Sequence, residues 1–559
     1  MAIRAPAEAT MSGEPDTSSG SSFSSSLPTD SASQLKLAVA LRDPSIYGDS
    51  AGEVELIETH ISYVYLAGPY AYKIKKAVDL GFLDFRTLQA RRFYCDEELR
   101  LNRRLAPALY LEVIAITGSH DRPILGGEGT PIEYAVKMHR FRQDQLLDRL
   151  LQDGGLTVSY VDQLAVQMSK FHGSAPAAAL DSSFGTACSI EQLALDNFTQ
   201  IRAAVGSSIS TSDLDAVETW TRSQCAALAE IFGQRKAGGF VRECHGDFHL
   251  GNIALVKNAV TVFDCIEFNA RLRWIDVMSE VAFLVMDLRA GNRRELAQRF
   301  LNRYLEITGD YGGLSVLRFY VVYRAMVRAK VHCLRASQSG IGAEATINVL
   351  AGYDKYIRLA KDQIGSARAA VMITHGLSGS GKTTLSQSLL EPLGAIRIRS
   401  DVERKRLHGL HAMDSSGAEI GRGLYTFDAT VLTYQRLADL AKMTVRAGYP
   451  AIVDATFLKR SQRDAFSQLA QELQVPFFIL HVAASEGVMR ARIVEREQQR
   501  NDASEAGIEV FEHQLATQEP LQPDELAVTS TMESTAQPDL NSARIGRIAL
   551  AISFGESRN

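Results

Sequence analysis

The chain is short of cysteine, short of net charge and without long apolar runs, and each shortage excludes something. Its six cysteines (Cys95, Cys188, Cys225, Cys244, Cys265 and Cys333) form no C-x-x-C pair, which argues against a zinc ribbon or a disulfide frame. Free thiols in a reducing, cytoplasmic compartment are expected instead. No apolar run reaches the roughly 18 residues of a membrane span, and the first residues lack the basic and then apolar blocks of a signal peptide. Neither membrane insertion nor export is expected. A formal net charge of -5 supplies no overall attraction for a polyanion, so nucleic acid is not an expected partner. The chain does have length and apolar content. At 559 residues, 46% of them hydrophobic, it exceeds one ordinary core and predicts two or three domains.

Residues 1–33, with "TSSGSSFSSSLPTDSAS", hold too little apolar surface to offset the entropy of ordering, and a disordered tail is expected there. Two β-rich runs separated by "AGP" follow in "IETHISYVYLAGPYAYKIK", the pattern of a hairpin. "TLQARRFYCDEELRLNRRLA" places Phe93, Leu101 and Leu105 at helical spacing, and after the strand-like "EYAVKMHRF" long helical patterns dominate. Residues 34–365 therefore read as one domain, a small sheet-rich lobe followed by a helical lobe. From residue 366 to 559 short apolar runs ("AAVMITH", "AIRIRSD", "AIVDAT", "PFFILHV") alternate with helical patterns, which predicts a parallel sheet wrapped by helices. The end of the chain, after about residue 530, is weakly patterned.

The most specific local signal is "GLSGSGKTT". Gly376, Gly381, Lys382 and Thr383 satisfy G-x-x-x-x-G-K-[ST], the loop whose backbone N–H groups and following helix hold phosphates. Ser378, Gly379, Ser380 and Thr384 complete the ATP-binding stretch, with Lys382 reaching the β- and γ-phosphates and Thr383 ligating magnesium. Asp454, at the end of "AIVD", is placed to orient that metal. Asp401, in "RIRSDVERKRL", is either a general base for an acceptor hydroxyl or a helix N-cap. Arg492, Arg496 and Arg500 share one helix face, either solvated or closing over phosphate. Through these segments the second half resembles small P-loop kinases of the gluconate kinase and polynucleotide kinase type, and the AAA family ATPase domains grouped with them.

"CHGDFHLGNI" allows two readings. His245, Asp247 and His249 could ligate zinc, but the chain shows no further ligand cluster. As H-G-D-x-x-x-x-N, the same letters make Asp247 the base toward a substrate hydroxyl and Asn252 a magnesium ligand. The second reading demands more of the chain and receives it. "AVTVFD" ends in Asp264, a second metal carboxylate; "YAYKIKK" offers Lys73 for the ATP phosphates, behind the small Ala71, with Lys75 on the same face; Glu98, or the adjacent Glu97, can hold that lysine.

On "HGDFHLGN", "VFDCIEF", "YAYKIKK" and the helical glutamate, residues 50 to 350 resemble the aminoglycoside phosphotransferase family, the bilobal protein-kinase-like fold that includes choline and homoserine kinases. The resemblance implies Asp247 as catalytic base, Asn252 and Asp264 on magnesium, Lys73 on ATP, Glu98 as its partner and Asp276 as a brace for the catalytic loop, where an N-cap is the alternative. A glycine-rich loop between the first strands is missing, His245 reads as structural, and Arg324, Arg328 and Lys330 face either an anionic substrate or solvent. As a whole the chain resembles the bacterial bifunctional aminoglycoside phosphotransferase/ATP-binding group. The expectation is a two-domain α+β and α/β protein that moves the ATP γ-phosphoryl group to small-molecule hydroxyls, with one ATP–magnesium site per domain. The alternatives are a nucleotide-binding regulatory or toxin-like protein in which one kinase half is degenerate, and phosphorylation of nucleic-acid ends. Acceptors and oligomeric state are not set by these residues.

Overall fold

The computed structural model describes residues 31–48, 51–81, 83–205, 212–336, 343–365, 369–414, 426–499 and 502–533, together with Ile548 and Ile552. The expected disordered tail lies outside the described residues, except for residues 31–33, which open a helix. Two compact units are present, one of Met1–Asp96 with Glu112–Met138 and the other of Glu97–Leu111 with His139–Asn559.

The first unit is built on α1 (Ser31–Ala40), β1 (Glu55–Glu58), β2 (Ser62–Ala67), β3 (Tyr70–Lys75), α2 (Leu88–Asn102), β4 (Tyr110–Ser119), β5 (Arg122–Leu125) and β6 (Glu133–His139), whose strands form a sheet in the order β1-β2-β3-β6-β4-β5. The expected hairpin is β2–β3, closed by the two residues Gly68 and Pro69 between the paired Ala67 and Tyr70. Gly68 has φ +55°, as a tight hairpin turn requires at its first position. So short a turn leaves no long glycine loop in this hairpin. Burial of Tyr65, Ile74 and Ile116 forms the core. A fully buried Arg91–Glu133 pair at 2.9 Å and the Gln34 amide, which donates to Glu133 and to the Lys75 carbonyl at 3.0 and 2.9 Å, tie the helices to the sheet. In α2, Leu101 is buried as expected, whereas Phe93 is 58% exposed; Cys95 and Glu98 occupy the inner face instead.

The second unit begins with the helical lobe: α3 (Leu147–Gln152), α4 (Val158–Ser174), α5 (Ala187–Val205), α6 (Ser212–Ala237), β7 (Val241–Glu243), β8 (Ile253–Val256), β9 (Ala259–Val262), α7 (Ala270–Arg273), β10 (Trp274–Asp276), α8 (Val277–Ala290), α9 (Arg294–Thr308), α10 (Leu314–Ala336) and α11 (Ala343–Ile364). It continues with β11 (Val371–His375), α12 (Lys382–Leu393), β12 (Ile396–Arg399), α13 (Ser400–Leu407), α14 (Phe427–Arg446), β13 (Ala451–Asp454), α15 (Arg460–Glu472), β14 (Phe477–Ala483), α16 (Glu486–Gln499), α17 (Ile508–Thr517), α18 (Pro523–Leu526) and β15 (Thr529–Glu533). Strands β11 to β15 form one sheet in the order β12-β13-β11-β14-β15, and every pair in it is parallel. The apolar runs β11 and β13 are buried at every position, as central strands covered on both faces must be. β15 carries the polar sequence TSTME at the sheet edge, which is why no pattern announces it.

Composition turns near residue 365, but packing does not. One cluster of buried side chains runs from Leu147 through Phe300, Tyr304 and Leu305 to Ile396, Ile398 and Ile479, so the helical lobe and the P-loop sheet share a core. Polar contacts reinforce it: Asn302 accepts the Arg397 backbone N–H at 2.8 Å and Gln298 donates to the Ala395 carbonyl at 2.6 Å.

Candidate functional site

The loop after β7 is organised from behind by a residue that no motif singled out. Glu280, fully buried on α8, accepts the backbone N–H groups of Gly246 and His245 at 2.7 and 3.1 Å. His172 supports it, with Nε2 2.8 Å from Glu280 and Nδ1 2.8 Å from the Tyr304 hydroxyl. Burial alone would raise the Glu280 pKa, but the hydrogen bond and charge of His172 and the Gly246 N–H bring it down to about 2. Gly246 has φ +90°, and a Cβ there would lie 2.8 Å from the Leu272 carbonyl oxygen. On the other side, Arg324, 3% exposed, donates to the Gly246 carbonyl at 3.1 Å. Glu280 was legible only as a lone acid inside the apolar run "VMSEVAFLVM". Asp276 does not brace this loop. It caps α8 through the Met278 N–H at 2.8 Å and pairs with Arg235, which also holds Asp310.

Both loop histidines are committed to other partners. His245 Nε2 is 2.9 Å from the Phe263 carbonyl, which can only accept, and Nδ1 receives the Asp247 N–H at 3.3 Å. The ring is thus a neutral tautomer with both nitrogens used, and burial holds its pKa below the ordinary value. His249 Nδ1 accepts the Gly251 N–H at 3.1 Å, so Nε2 carries the proton, 3.3 Å from Asp247. The zinc reading fails on these bonds. Asp247 itself is 34% exposed. Burial pushes its carboxyl up, but His249 and the Arg328 charge outweigh that and hold it well below the usual range. The Asn252 amide nitrogen donates to Asp247 Oδ2 at 2.8 Å, which leaves the Asn252 carbonyl oxygen as the atom a magnesium ion would take. Asp264, at φ +64°, has its N–H on the Tyr110 hydroxyl at 3.2 Å. Its charge and that of Asp247 both act on His245.

Around this loop, Glu97 is engaged by Arg100 at 2.8 Å and Arg273 at 3.5 Å, while Glu98 is fully buried. In the first unit, Lys73 on β3 is 8% exposed; Lys75 is fully buried with Nζ 5.1 Å from the Phe85 ring centroid. The α10 residues face neither an open surface nor solvent alone. Arg324 grips the loop, Arg328 approaches His249 Nε2 at 3.4 Å and Tyr356, and burial lowers the Lys330 pKa.

The second constellation lies where β11 meets α12. Gly376, Gly379 and Gly381 all have positive φ (+146°, +77° and +96°), and a Cβ on Gly379 would fall 2.5 Å from the Met489 carbonyl oxygen. Only glycine fits that approach. The Lys382 ammonium, deep in the loop, donates to the Leu377 carbonyl at 2.7 Å. Burial depresses its pKa to about 8, against the opposing charges of Asp454 and Asp401. Ser378 gives its N–H to Gln514 at 2.9 Å, and the buried Ser380 hydroxyl has no hydrogen-bond partner among the described residues. Asp454, 5% exposed at the end of β13, accepts from Ser386 at 3.1 Å. Thr383 and the exposed Thr384 begin the helix. Asp401 is not the cap of α13: Arg399 holds that position, and Asp401 sits in the first turn, paired with Arg404 at 3.1 Å.

Helix α16 is packed onto the loop through Leu377, Met489, Ile493 and Phe511. Arg492 lies 3.4 Å from the Gly379 and Ser380 carbonyls, and Arg496 donates to the Ala506 carbonyl. Arg500 lies outside the described residues.

Two families of known proteins match separate stretches of the chain. Residues 94–320 match the phosphotransferase enzyme family, and residues 371–521 match the AAA domain family. The chain therefore carries a phosphotransferase-family, kinase-like region followed by a P-loop kinase-like domain, and it is an enzyme of the phosphotransferase class. It is 29% identical over 451 residues, 81% of this chain and 88% of theirs, to uncharacterized proteins of Mycobacterium tuberculosis and Mycobacterium bovis. Among solved structures it is similar to a gluconokinase from Sinorhizobium meliloti (21% identity, 34% of this chain and 98% of that one, TM-score 0.24). It is also similar to a choline/ethanolamine kinase family protein from Mesorhizobium loti (10%, 59% and 99%, TM-score 0.34). Among the described residues no helix is long and apolar enough to cross a membrane.

Proposed function

We propose that the chain is a bifunctional ATP-dependent phosphotransferase, with one ATP–magnesium site in each kinase-like part and small-molecule hydroxyls as acceptors. The observation that carries this reading is the pairing of acid and amide at Asp247 and Asn252, 2.8 Å apart, beside a separate loop where Lys382 is subject to the charges of both Asp454 and Asp401. Each half thus owns a candidate base and its own metal-type oxygens.

The donor sets fit the groups proposed for them. In the first part, the Asn252 carbonyl oxygen and the carboxylate of Asp264 offer hard oxygen donors suited to magnesium. In the second, the orphaned Ser380 hydroxyl and the positive-φ glycines form a phosphate cradle, with Thr383 and Asp454 for the metal. Magnesium supplies charge neutralisation of the transferring phosphoryl group. Asp247, held ionised by His249, orients an acceptor hydroxyl and takes its proton; Asp401 has the corresponding role at the P-loop. Lys73 and Lys382 serve phosphates, and Arg492 and Arg496 act on the nucleotide side of the P-loop. The experiment is to incubate the protein with labelled ATP and a metabolite extract and to identify each labelled product. Label transfer lost in part with Asp247→Asn and in part with Lys382→Ala supports two activities, whereas complete loss with either one alone refutes them.

A further inference from the structure

We propose that the chain holds a further small-molecule site, separate from both nucleotide sites, that binds a phosphorylated polyhydroxy compound. A cleft of about 660 Å³ opens beside the edge strand β12, walled by α4, β9 and α9 of the helical lobe and by α12 and β12 of the P-loop part. That volume lies in the range of small-ligand pockets. None of the residues assigned above to ATP or magnesium lines it.

Its charge points to the ligand. Five cations line the cleft: Lys170, Arg299, Arg303, Arg397 and Arg399. Asp162 neutralises Arg299 at 2.7 Å. The other three guanidiniums converge on the single carboxylate of Glu306, at 2.9 Å for Arg303, 3.1 Å for Arg397 and 3.5 Å for Arg399. Arg399 has Asp502 as a second partner at 2.8 Å. Three carboxylates thus pair closely with four of these cations, and Glu391, Asp401 and Asp454 act on Arg299 and Arg399 as well. Lys170 is exposed and makes no ion pair among the described residues, and the buried Nε of Arg397 has no acceptor there. A phosphomonoester, carrying close to two negative charges at neutral pH, gives Lys170 a counter-charge and supplies the acceptor that the Arg397 guanidinium lacks.

The remaining lining selects the rest of the molecule. Ser159, Gln163, Gln167 and Gln387 present hydroxyl and amide groups, while no aromatic side chain lines the cleft. A nucleobase would find nothing to stack on, whereas a chain or ring of hydroxyls would find hydrogen-bond partners.

The test is calorimetric titration of the full-length protein, already saturated with a non-hydrolysable ATP analogue and magnesium, with glucose 6-phosphate and, separately, with glucose. Saturable binding of the phosphate ester alone is expected, weakened about fivefold by Lys170→Gln and again by Arg303→Gln, with analogue affinity unchanged in both variants. These two side chains are partly or fully exposed, so folding survives their replacement. Absence of binding, equal binding of glucose, or binding indifferent to both substitutions overturns the proposal.

Discussion

Arg397 and Glu306 form a buried ion pair at 3.1 Å that joins the edge strand of the P-loop sheet to helix α9 of the helical lobe. The same guanidinium donates to the Thr383 carbonyl at 3.2 Å, so the pair connects the lobe carrying Asp247 to the loop carrying Lys382. Glu306→Gln removes the carboxylate on which Arg303, Arg397 and Arg399 converge. Loss of one partner from a buried pair costs about 3 kcal/mol or more, and chemical denaturation of the variant should show a midpoint shift of that size.

The shared core has a second consequence. A fragment of residues 366–559 exposes Ile396, Ile398 and the side of the sheet that α9 covers, and a fragment ending at residue 365 exposes Tyr304 and Leu305. Expressed alone, each should bind an apolar dye or aggregate, and co-expression should restore a soluble complex. Two independently folded, monomeric fragments would contradict the continuous core.

Much of this was legible in the sequence, and the omissions have physical reasons. Short-range patterns that must satisfy local chemistry, such as "GLSGSGKTT", "HGDFHLGN" and the apolar strands β11 and β13, are found where expected. Residues whose role depends on distant packing were not. Glu280 looks like a helix-interior acid until α8 is laid behind the loop, and although the N-cap reading of Asp276 holds, its pairing with Arg235 is invisible in the sequence. Arg324 resembles a surface charge until its helix is buried. The unity of the core escaped because composition records fold type, while burial across α9 and β12 requires the tertiary contact.

Glu280 makes the loop after β7 acid-sensitive. Its folded pKa of about 2 lies below the ordinary carboxyl value, so the stability it contributes is complete above about pH 4.5 and is lost as pH falls toward 2. The depression corresponds to roughly 3 kcal/mol. Denaturant titrations between pH 5 and 2 should show a shallower acid limb in Glu280→Gln than in the wild type, and a lower stability at neutral pH.

Lys382 predicts the opposite limb for nucleotide binding. With the ammonium pKa at about 8 before ligand arrives, phosphates entering the loop raise it, so binding takes up a proton and affinity declines as pH rises through 8. Calorimetry at pH 8.5 in buffers of differing ionisation enthalpy should reveal that uptake. Lys382→Arg, which cannot deprotonate there, should abolish it.

Asp247→Asn should leave folding and ATP affinity of the first site nearly intact while transfer there falls by about three hundredfold or more. Single-turnover assays with the first acceptor identified from the extract give the number, and near wild-type transfer would remove Asp247 from its role.

Two nucleotide sites on one chain separate a bifunctional enzyme from one with a degenerate half, and nucleotide stoichiometry counts them. Calorimetric titration of the full-length protein with a non-hydrolysable ATP analogue and magnesium should give about two nucleotides per wild-type chain, and about one for Lys382→Ala and for Asp264→Ala. A single site, abolished by Lys382→Ala and untouched by Asp264→Ala, would contradict it and show that the kinase-like lobe no longer binds ATP.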